Sequence, residues 1–421
     1  MLKVVEAFSG IGSQAKALRN IGLDFEVVNT IDWDINAIIA YDILHNGSQD
    51  LSILADLDKE DLIIRLSRYT LSNNGKEPIG TKSLSRMPDS TLRSLYYSII
   101  RTKNLVNVQD VTGNDFNFNI DLLTYSFPCQ DLSISGFWHG NEGGISRNAN
   151  NRSSMLWEIE RILLEMKASK QNLPRFLLME NVTAIRSDRH VDNFNEWKSI
   201  LVDLGYENVV YDLCAYDFGV PQMRKRTFMI SVLVDSDTKL RREIKNFFKL
   251  NNLEENPNLY QVAERPKITE YLRLDYNNKK YKEEAIMSVP NDTSSRRKIF
   301  EQNPKIFINN KPNLEAVRTI TTKQDRHPNS GVIEVPFKLP NKSNFRYLTP
   351  RECFIFMGFD ENDYENLIIN NFPSWRNNNF FTKDKLIKMA GNSIVVNVLE
   401  SVFLHMYEID KFINEYENEV N

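Results

Sequence analysis

The chain has 421 residues, and its composition of 41% hydrophobic and 26% charged residues is typical of water-soluble proteins with more than one domain. Its three cysteines and five histidines are widely scattered, which argues against a disulfide framework and against a zinc site. We therefore expect a protein of the reducing cytoplasm without a resident metal. No apolar run in the sequence approaches the roughly 18 residues of a membrane span.

The net charge of −4 is unevenly distributed along the chain. Residues 261–346 contain 17 lysines and arginines against 10 acidic residues, so this stretch carries a charge of +7 and the remainder −11. A local basic face is what a phosphate backbone requires, although a merely solvated surface would show the same surplus. The acidic total therefore does not exclude nucleic acid as a partner.

A glycine turn follows the first predicted strand. Residues 3–8 are typical of a strand, Ser9-Gly10-Ile11-Gly12 predicts a tight turn, and residues 13–20 predict a helix. Two glycines in such a turn let the backbone approach a ligand closely, beside the free N–H groups of the helix. The full G-x-G-x-x-G fingerprint is missing, which disfavours NAD and FAD.

A carboxylate ends the second predicted strand, which covers residues 26–31. Asp32 follows the glycine turn by roughly twenty residues, a spacing that suits a ribose diol, and the indole of Trp33 can stack on a purine. The same stretch could instead cap the next predicted helix, and the two roles are compatible. Residues 57–105 predict a surface excursion, after which Asp110 is expected at another strand end, where it could bind an adenine amino group or serve as a turn carboxylate.

The apolar run 122–127 stops at Pro128 and presents Cys129. A thiol on a loop beyond a parallel strand lies where open α/β sheets keep their chemistry, and its thiolate is a strong nucleophile. A buried apolar cysteine is the alternative interpretation. We interpret the polar stretch 133–154 that follows as a moving lid.

Charged groups follow two later strands. Glu180 ends the apolar strand 175–179, where a carboxyl group is costly to bury without a task, and a solvated strand end is the alternative. Arg224 and Arg226 alternate with Lys225 in an extended segment, so they would share one face. Such arginines can hold a carboxylate, a phosphate or a base carbonyl, or they can form an ordinary basic surface.

Six short motifs occur along nearly the whole chain. They are Phe8-Ser9-Gly10-Ile11-Gly12, Phe127-Pro128-Cys129-Gln130, Glu180-Asn181-Val182, Gln222-x-Arg224-x-Arg226, Arg346-x-Leu348-Thr349-x-Arg351-Glu352 with Met357-Gly358-Phe359, and Gly391-Asn392-Ser393. In this order they resemble the DNA (cytosine-5) methyltransferase family of the bacterial restriction-modification type. The chain departs from the common pattern in Ser126, which replaces the usual glycine, in the insertion 57–105, and in the long stretch after Cys129.

The resemblance implies an enzyme that transfers a methyl group from S-adenosylmethionine to C5 of a cytosine flipped out of duplex DNA. By similarity, Cys129 attacks cytosine C6, Glu180 hydrogen-bonds and protonates N3, and Arg226 contacts the base carbonyl with Arg224 nearby. The residues that the resemblance places around the methyl donor are Phe8, Ser9, Gly10, Gly12, Asp32, Trp33, Asp110, Val111, Phe127, Leu156, Asn392 and Ser393.

Target recognition is expected in the basic stretch of the chain. Its arginine, lysine, glutamine and hydroxyl side chains suit base edges and phosphates, although any single one is more often a phosphate or surface residue. The residues predicted to contact DNA, including two beside Cys129, are Gln130, Ser133, Gln222, Arg296, Arg297, Lys298, Thr322, Lys323, Gln324 and Arg326.

The predicted fold is α/β, a doubly wound, Rossmann-like S-adenosylmethionine-dependent methyltransferase domain of residues 1–233 plus 385–421, with a smaller DNA target-recognition domain and hinge at 234–384. A tRNA cytosine-5 methyltransferase is one alternative, against which the basic insert argues. An inactive DNA-binding regulator is another, against which intact Cys129, Glu180 and Arg226 argue. We expect a monomer in the bacterial cytoplasm or nucleoid that protects host DNA beside a cognate restriction endonuclease.

Overall fold

The computed structural model describes residues 1–128, 145–147, 152–260, 266–324, 326–375 and 378–420. The chain divides into two compact units: unit 1 consists of Met1–Leu213, Lys225–Tyr260 and Glu400–Asn421, and unit 2 of Cys214–Arg224 and Gln261–Leu399. These bounds differ from the predicted domains, because 234–260 belongs to unit 1, whereas 214–224 and 385–399 belong to unit 2. The assignment of target recognition to one unit stays a prediction.

The strands follow the apolar runs of the sequence. In chain order they are β1 (Leu2–Ala7), β2 (Phe25–Ile31), β3 (Leu122–Tyr125), β4 (Phe176–Val182), β5 (Tyr206–Cys214), β6 (Gln222–Met223), β7 (Lys225–Leu233), β8 (Lys305–Ile308), β9 (Lys311–Pro312), β10 (Val317–Arg318), β11 (Val332–Glu334) and β12 (Phe345–Arg346).

The helices are similarly distributed along the chain. They are α1 (Ser13–Asn20), α2 (Ile35–Asn46), α3 (Lys59–Leu66), α4 (Thr81–Ser85), α5 (Asp89–Arg101), α6 (Leu156–Ala168), α7 (Val191–Asp203), α8 (Thr238–Leu250), α9 (Ile268–Tyr271), α10 (Lys279–Met287), α11 (Ser294–Gln302), α12 (Pro350–Ile355), α13 (Glu361–Ile369), α14 (Lys383–Asn392) and α15 (Val396–Val420).

Unit 1 is built on a six-stranded sheet with the order β2-β1-β3-β4-β7-β5. The pairs β1–β2, β1–β3 and β3–β4 are parallel, and β7 is antiparallel to β4. β2 lies on one side of β1, and β3 lies on the other side. The direction in which successive strands are added to the sheet therefore reverses between β1 and β3. Open α/β sheets bind ligands outside the carboxyl ends of the strands at such a reversal. The doubly wound α/β fold predicted from the sequence is confirmed.

Apolar side chains at alternate positions of the strands pack against the helices that cover the sheet. Val5 and Ala7 of β1 pack in one large cluster with α6 and α7, to which Leu163 and Trp197 contribute fully buried side chains. The indole Nε1 of Trp197 donates to the Tyr125 hydroxyl at 3.1 Å, which satisfies both buried polar groups. Because the side chains of a strand alternate, Glu6 points to the opposite face of the sheet.

The insertion between β2 and β3 is an ordered helical layer. Asp58 and Asp61 form a capping box at the start of α3, whose inner positions Leu62 and Leu66 are buried. At the end of α5, Arg101 Nε pairs with the fully buried Asp42 of α2 at 2.5 Å. The predicted surface excursion is therefore fastened to unit 1 by apolar packing and by a partly buried ion pair.

Unit 2 contains a two-stranded sheet of β6 and β10 and a four-stranded sheet in the order β12-β11-β8-β9. Its buried centre is ionic as well as apolar. Arg346 and Glu352 form a bidentate pair at 2.7 and 2.8 Å with neither side chain exposed. Glu352 also completes a capping box with Thr349 at the start of α12. Loss of either partner would leave a buried charge, so this pair fixes the local arrangement strongly.

One stretch, Lys383–Asn418, is long and apolar enough to cross a membrane by length and composition alone, which the sequence interpretation did not anticipate. In its most apolar window, 72% is buried inside the protein. Ile409 and Ile413 are among its buried side chains. Burial in the protein core accounts for the apolar composition of this stretch.

Candidate active site

The glycine turn lies at the carboxyl end of β1. Phe8, Gly10 and Gly12 have positive φ angles of 57°, 55° and 77°. The Gly12 amide donates to the Ser9 carbonyl at 2.9 Å, and the Phe8 amide donates to the Ile31 carbonyl at 2.7 Å. Apart from Gly10 and its two chain neighbours, no atom of the described residues lies within 4 Å of the position that a Cβ on Gly10 would take. A ligand can therefore approach the backbone at this point.

Asp32 fastens the glycine turn to the end of β2. Its Oδ2 accepts from the Gly10 amide at 2.8 Å, and its Oδ1 accepts from the Asp34 amide at 2.8 Å. Asp34 in turn caps α2 by accepting from the Asn36 amide at 3.0 Å. The helix-capping alternative therefore holds for Asp34. Trp33 lies half-buried between the two carboxylates.

The insertion braces the same strand end from the other side. Asn104 bonds both backbone groups of Asp32, accepting from its amide at 3.2 Å and donating to its carbonyl at 3.1 Å. The Ser72 amide donates to the Trp33 carbonyl at 2.8 Å, and the Ser72 carbonyl accepts from the Ile35 amide at 2.9 Å. These contacts fix the backbone on which the predicted cofactor residues Asp32 and Trp33 stand.

Two titratable groups lie beneath the glycine turn, where Glu6 is fully buried and His45 is half-buried. Burial raises the pKa of Glu6 to about 8, while interactions with the Tyr41 hydroxyl, the Ala15 amide and the charge of Arg19 partly oppose this shift. Burial lowers the pKa of His45 to about 3, and the charges of Arg19 and Lys16 act in the same direction. Both side chains are therefore predominantly neutral at pH 7.

Asp110 and Val111 lie in a turn rather than at the predicted strand end. The Asn107 side chain donates to Asp110 Oδ2 at 3.0 Å, and the Val111 carbonyl accepts from Arg161 at 2.8 Å. No strand forms among the described residues 102–121 because several side-chain hydrogen bonds hold this backbone in turns instead. Asp110 is exposed, whereas Val111 is buried, as is Leu156 at the start of α6.

The segment after β3 meets the glycine turn and β4. Ser126 Oγ donates to the Phe8 carbonyl at 3.5 Å, a weak contact. The Asn181 side chain donates to the carbonyl of the buried Phe127 at 3.1 Å, and the Asn181 side-chain oxygen accepts from the Val182 amide at 2.9 Å. The predicted nucleophile Cys129, together with Gln130 and Ser133, lies outside the described residues.

Glu180 and Arg226 come together on β4 and β7. In the antiparallel register Val182 lies opposite Arg226 and Glu180 opposite Phe228, so Glu180 and Arg226 are diagonal neighbours on one face. Arg226 Nε lies 3.5 Å from Glu180 Oε1, and the two side chains are 18% and 12% exposed. The pair is therefore mostly shielded but still open to a small ligand.

Arg224 is buried in unit 2, where it binds backbone. Its guanidinium donates to the carbonyls of Ile320 at 2.9 Å, Gly391 at 3.2 Å and Ser393 at 2.8 Å. Gly391 has no room for a side chain, because an added Cβ would lie 2.5 Å from the Thr322 amide nitrogen. This placement indicates that Arg224 joins the motif at Gly391 to the segment 320–322. Ser393 is buried in this arrangement, and Asn392 is exposed.

Gln222 and Gln324 occupy buried positions in unit 2. Gln222 donates to the Phe356 carbonyl at 2.8 Å and accepts from the Ile320 amide at 3.0 Å, and Gln324 bonds Ser330. These contacts favour a structural role for both glutamines over the predicted contact with DNA. The side-chain amides of both glutamines already have hydrogen-bond partners inside unit 2. The motif alone could not indicate this.

The predicted DNA contacts on residues 296–298, 322, 323 and 326, which the structure describes, are at least partly accessible. Arg296 lies on α11 and donates to the Arg326 carbonyl at 2.8 Å, which brings two predicted contacts together. Arg297 is bidentate to Asp292 at 2.8 and 2.7 Å, an exposed pair that a phosphate could replace. Lys298, Lys323 and Arg326 are exposed, and Thr322 is partly buried.

Comparison with known proteins decides the family. A model of the C-5 cytosine-specific DNA methylase family matches residues 68–408, which is most of the chain. The chain belongs to this family. As the motifs predicted, it is a DNA (cytosine-5) methyltransferase.

Relatives cover this methyltransferase almost from end to end. The orphan methyltransferase M.SssI of Spiroplasma monobiae is 32% identical over 410 residues, covering 95% of this chain and 96% of the relative. The type II methyltransferase M2.ScrFI of Lactococcus lactis subsp. cremoris is 28% identical over 421 residues, covering 97% and 99%. The S. pombe Dnmt2 methyltransferase structure has a TM-score of 0.59 at 18% identity, covering 97% and 99%, which shows a shared fold.

Several residues of this methyltransferase that support its candidate site escaped the sequence interpretation. Ser72 and Asn104 lie in the insertion, and nothing in their local sequence connects them with the end of β2. His45 lies at the end of the helix that is predicted to follow Asp32 and Trp33, and its sequence context indicates no function. Glu6 did carry a signal, since a carboxyl group in the middle of an apolar strand is costly to bury.

Proposed function

We propose that this methyltransferase uses S-adenosylmethionine to methylate C5 of a cytosine that is flipped out of duplex DNA at a short specific sequence. The observation that carries the proposal is the pair of Glu180 and Arg226, held 3.5 Å apart on neighbouring strands. Cytosine offers a ring nitrogen and a carbonyl oxygen on one edge, and a carboxyl group beside a guanidinium can bind both. Base flipping is required because the target carbon is unreachable inside the stack.

In the proposed mechanism each side chain has a defined task. The Cys129 thiolate adds to cytosine C6, while Glu180 gives a proton to N3 and Arg226 holds the carbonyl oxygen at C2. The addition converts C5, a poor aromatic nucleophile, into the carbon of an enamine that can accept a methyl group. Loss of the C5 proton to a base, expulsion of the Cys129 thiolate and return of the N3 proton to Glu180 then restore the aromatic ring and the enzyme.

The residues around the glycine turn have the chemistry to hold the methyl donor. When bound, S-adenosylmethionine supplies an electrophilic methyl group. The open backbone at Gly10 admits a ligand, the Asp32 carboxylate suits a ribose diol and Trp33 offers an indole face. We assign further contacts with the donor to Phe8, Ser9, Gly12, Asp110, Val111, Phe127, Leu156, Asn392 and Ser393.

Recognition of the DNA target is assigned to unit 2. Arg296 and Arg326 are joined by a hydrogen bond and accompany exposed Lys298 and Lys323, a set that suits a phosphate backbone and guanine edges. Buried Gln222 and Arg224 would support this surface from within rather than contact DNA. We further propose that the enzyme acts as a monomer in the bacterial cytoplasm or nucleoid and protects host DNA from an endonuclease that cleaves the same site.

The acceptor is tested by incubating the purified chain with methyl-labelled S-adenosylmethionine and either duplex DNA or tRNA. We expect label in duplex DNA, and bisulfite sequencing of DNA from cells that express the chain should show methylated cytosine in one flanking context. Label in tRNA alone would overturn the choice of DNA. No incorporation with either acceptor would support an inactive DNA-binding regulator.

The covalent mechanism is tested with Cys129→Ser. A hydroxyl is a far weaker nucleophile than a thiolate at neutral pH, so we expect methyl transfer to fall roughly a thousandfold or more. Binding of DNA and of S-adenosylmethionine should remain measurable by filter binding and equilibrium dialysis. Cys214→Ser is the matched control and should retain activity. Substantial turnover by Cys129→Ser would remove Cys129 from the mechanism.

A further inference from the structure

The imidazole of His45 lies directly against the glycine turn. Its Nε2 is 2.9 Å from the Ile11 carbonyl oxygen. A Cβ built on Gly12 would lie 2.2 Å from the same nitrogen and 2.7 Å from Cε2 of Tyr41. The absence of a side chain at Gly12 therefore serves two purposes, because it permits the left-handed φ angle and makes room for the imidazole ring.

The neighbours of His45 define its tautomer. A carbonyl oxygen can only accept, so Nε2 carries the proton and donates to Ile11. Nδ1 then accepts from the guanidinium of Arg19, which lies 3.4 Å away. Burial lowers the pKa of His45 to about 3, and the charges of Arg19 and Lys16 act in the same direction, so this neutral form persists at physiological pH.

The peptide unit between Ile11 and Gly12 is held at both of its polar groups. Its carbonyl accepts from His45 at 2.9 Å, and its N–H donates to the Ser9 carbonyl at 2.9 Å. Rotation of this peptide would break both hydrogen bonds. The turn therefore has a fixed shape before any ligand arrives, which reduces the entropy lost on binding.

We propose that His45 is a positioning residue for the methyl donor: by holding the Ile11–Gly12 peptide, it sets the turn against which S-adenosylmethionine binds. This inference rests on the proposed use of that cofactor. His45 acts through the backbone and takes no part in the chemistry at the cytosine ring.

The first test compares His45→Leu with His45→Gln. Leucine fills part of the volume but cannot donate, whereas glutamine retains an N–H donor at a similar reach. We expect the Kd for labelled S-adenosylmethionine, measured by equilibrium dialysis, to rise about tenfold in His45→Leu and less than about threefold in His45→Gln. The KM for S-adenosylmethionine should rise in parallel, while kcat and the KM for DNA should stay within about twofold.

The second test uses a pair of glycines on either side of α1. Gly12 and Gly22 have φ angles of 77° and 71°, but in the described structure only Gly12 has atoms within 4 Å of an added Cβ. Both alanine substitutions carry the same backbone strain. Because Gly12 is also assigned to the donor, Gly12→Ala is compared alone and combined with His45→Ala, and a rise of the Kd that shrinks when the imidazole is removed reports the clash with His45. Amide hydrogen exchange of the peptide covering residues 8–14 should be faster in His45→Leu than in the wild type.

The outcomes separate the two proposals. If the wild type does not bind S-adenosylmethionine, the proposed function fails and this inference fails with it. If the wild type binds and a folded His45→Leu binds equally well, only the positioning role is overturned. Should His45→Leu fail to fold, a rise of the Kd in Gly12→Ala that is smaller when His45→Ala is also present supports the role, and a rise of equal size in both backgrounds overturns it.

Discussion

Glu6 places a carboxyl group in an environment that disfavours its charge. It lies fully buried on β1, with the Ala15 amide near the start of α1 and the Tyr41 hydroxyl of α2 as neighbours. The end of a helix that exposes free N–H groups favours a carboxylate, but removal from water disfavours it more, and the pKa rises from 4.5 to about 8. The methyltransferase thus contains a neutral carboxylic acid beneath its glycine turn.

Glu6→Gln should change how stability depends on pH. Because the folded pKa is above the unfolded value, the folded state holds the proton more tightly, and the stability that this provides below pH 4.5 is lost as the pH rises to about 8. Glutamine has no proton to lose. The free energy of unfolding of the variant should therefore rise relative to that of the wild type by about 1.4 kcal/mol per pH unit across this range. Chemical unfolding at pH 5, 6.5 and 8 measures the difference. If the free energies of unfolding of Glu6→Gln and the wild type changed in parallel with pH, Glu6 would be solvated. Glu60→Gln, at an exposed position, is the control.

Arg224 and Arg226 should respond differently to replacement by lysine, although they stand in one motif. Arg224 donates to three carbonyls in unit 2, which one ammonium cannot replace with the same geometry, so Arg224→Lys should lower the free energy of unfolding by about 1–3 kcal/mol. Arg226 faces Glu180, so Arg226→Lys should lower kcat about tenfold or more with little change in thermal stability. If Arg224→Lys remained fully stable and lost kcat instead, Arg224 would belong with the catalytic groups.

At the scale of elements, the insertion between β2 and β3 supports the end of β2, where the cofactor is proposed to bind. It supplies Ser72 and Asn104, which bond the backbone of Trp33 and Asp32, and it is fastened to α2 through Arg101 and Asp42. A surface excursion with no other task would not need buried polar contacts at a strand end. The insertion therefore contributes to the site without presenting a functional side chain of its own.

Asn104→Ala should weaken cofactor binding more than it weakens DNA binding. The change leaves the part-buried amide and carbonyl of Asp32 without the Asn104 side chain, which costs about 1 kcal/mol per hydrogen bond and loosens the strand end. We expect the KM for S-adenosylmethionine to rise several-fold and the KM for DNA to stay constant. Asn119→Ala, an exposed asparagine of unit 1, is the matched control. Equal effects on both KM values would mean that the insertion supports the whole unit rather than the end of β2.

At the scale of the whole molecule, the sequence predicted what local patterns can encode. Apolar runs identified β1, β2, β3 and β4 to within a few residues, and the helix at 13–20 has the predicted bounds. The antiparallel insertion of β7 between β4 and β5 depends on contacts between distant segments, as does the meeting of Glu180 with Arg226. Asp110 was misplaced because its apolar neighbours suggested a strand, whereas hydrogen bonds from side chains such as Asn107 stabilise a turn.

The stability of unit 1 should be greatest near pH 6.5. Burial lowers the pKa of His405 from 6.5 to about 4, where its ring nitrogens lie 2.7 and 3.2 Å from the hydroxyls of Tyr260 and Tyr211. His405 and His45 both have folded pKa values below the unfolded value, so their stabilisation is complete above pH 6.5 and is lost as the pH falls, whereas the contribution of Glu6 is lost as the pH rises toward 8. Between pH 6.5 and 4.5 the losses at His405 and His45, to which His190 adds because burial also lowers its pKa, exceed the gain at Glu6, so the free energy of unfolding falls as the pH falls. Above pH 6.5 it should fall by about 1.4 kcal/mol per pH unit as Glu6 loses its proton. His405→Gln should reduce the slope on the acid side by about 1.4 kcal/mol per pH unit, and chemical unfolding between pH 4.5 and 6.5 would contradict the account if the acid slope were unchanged by the substitution.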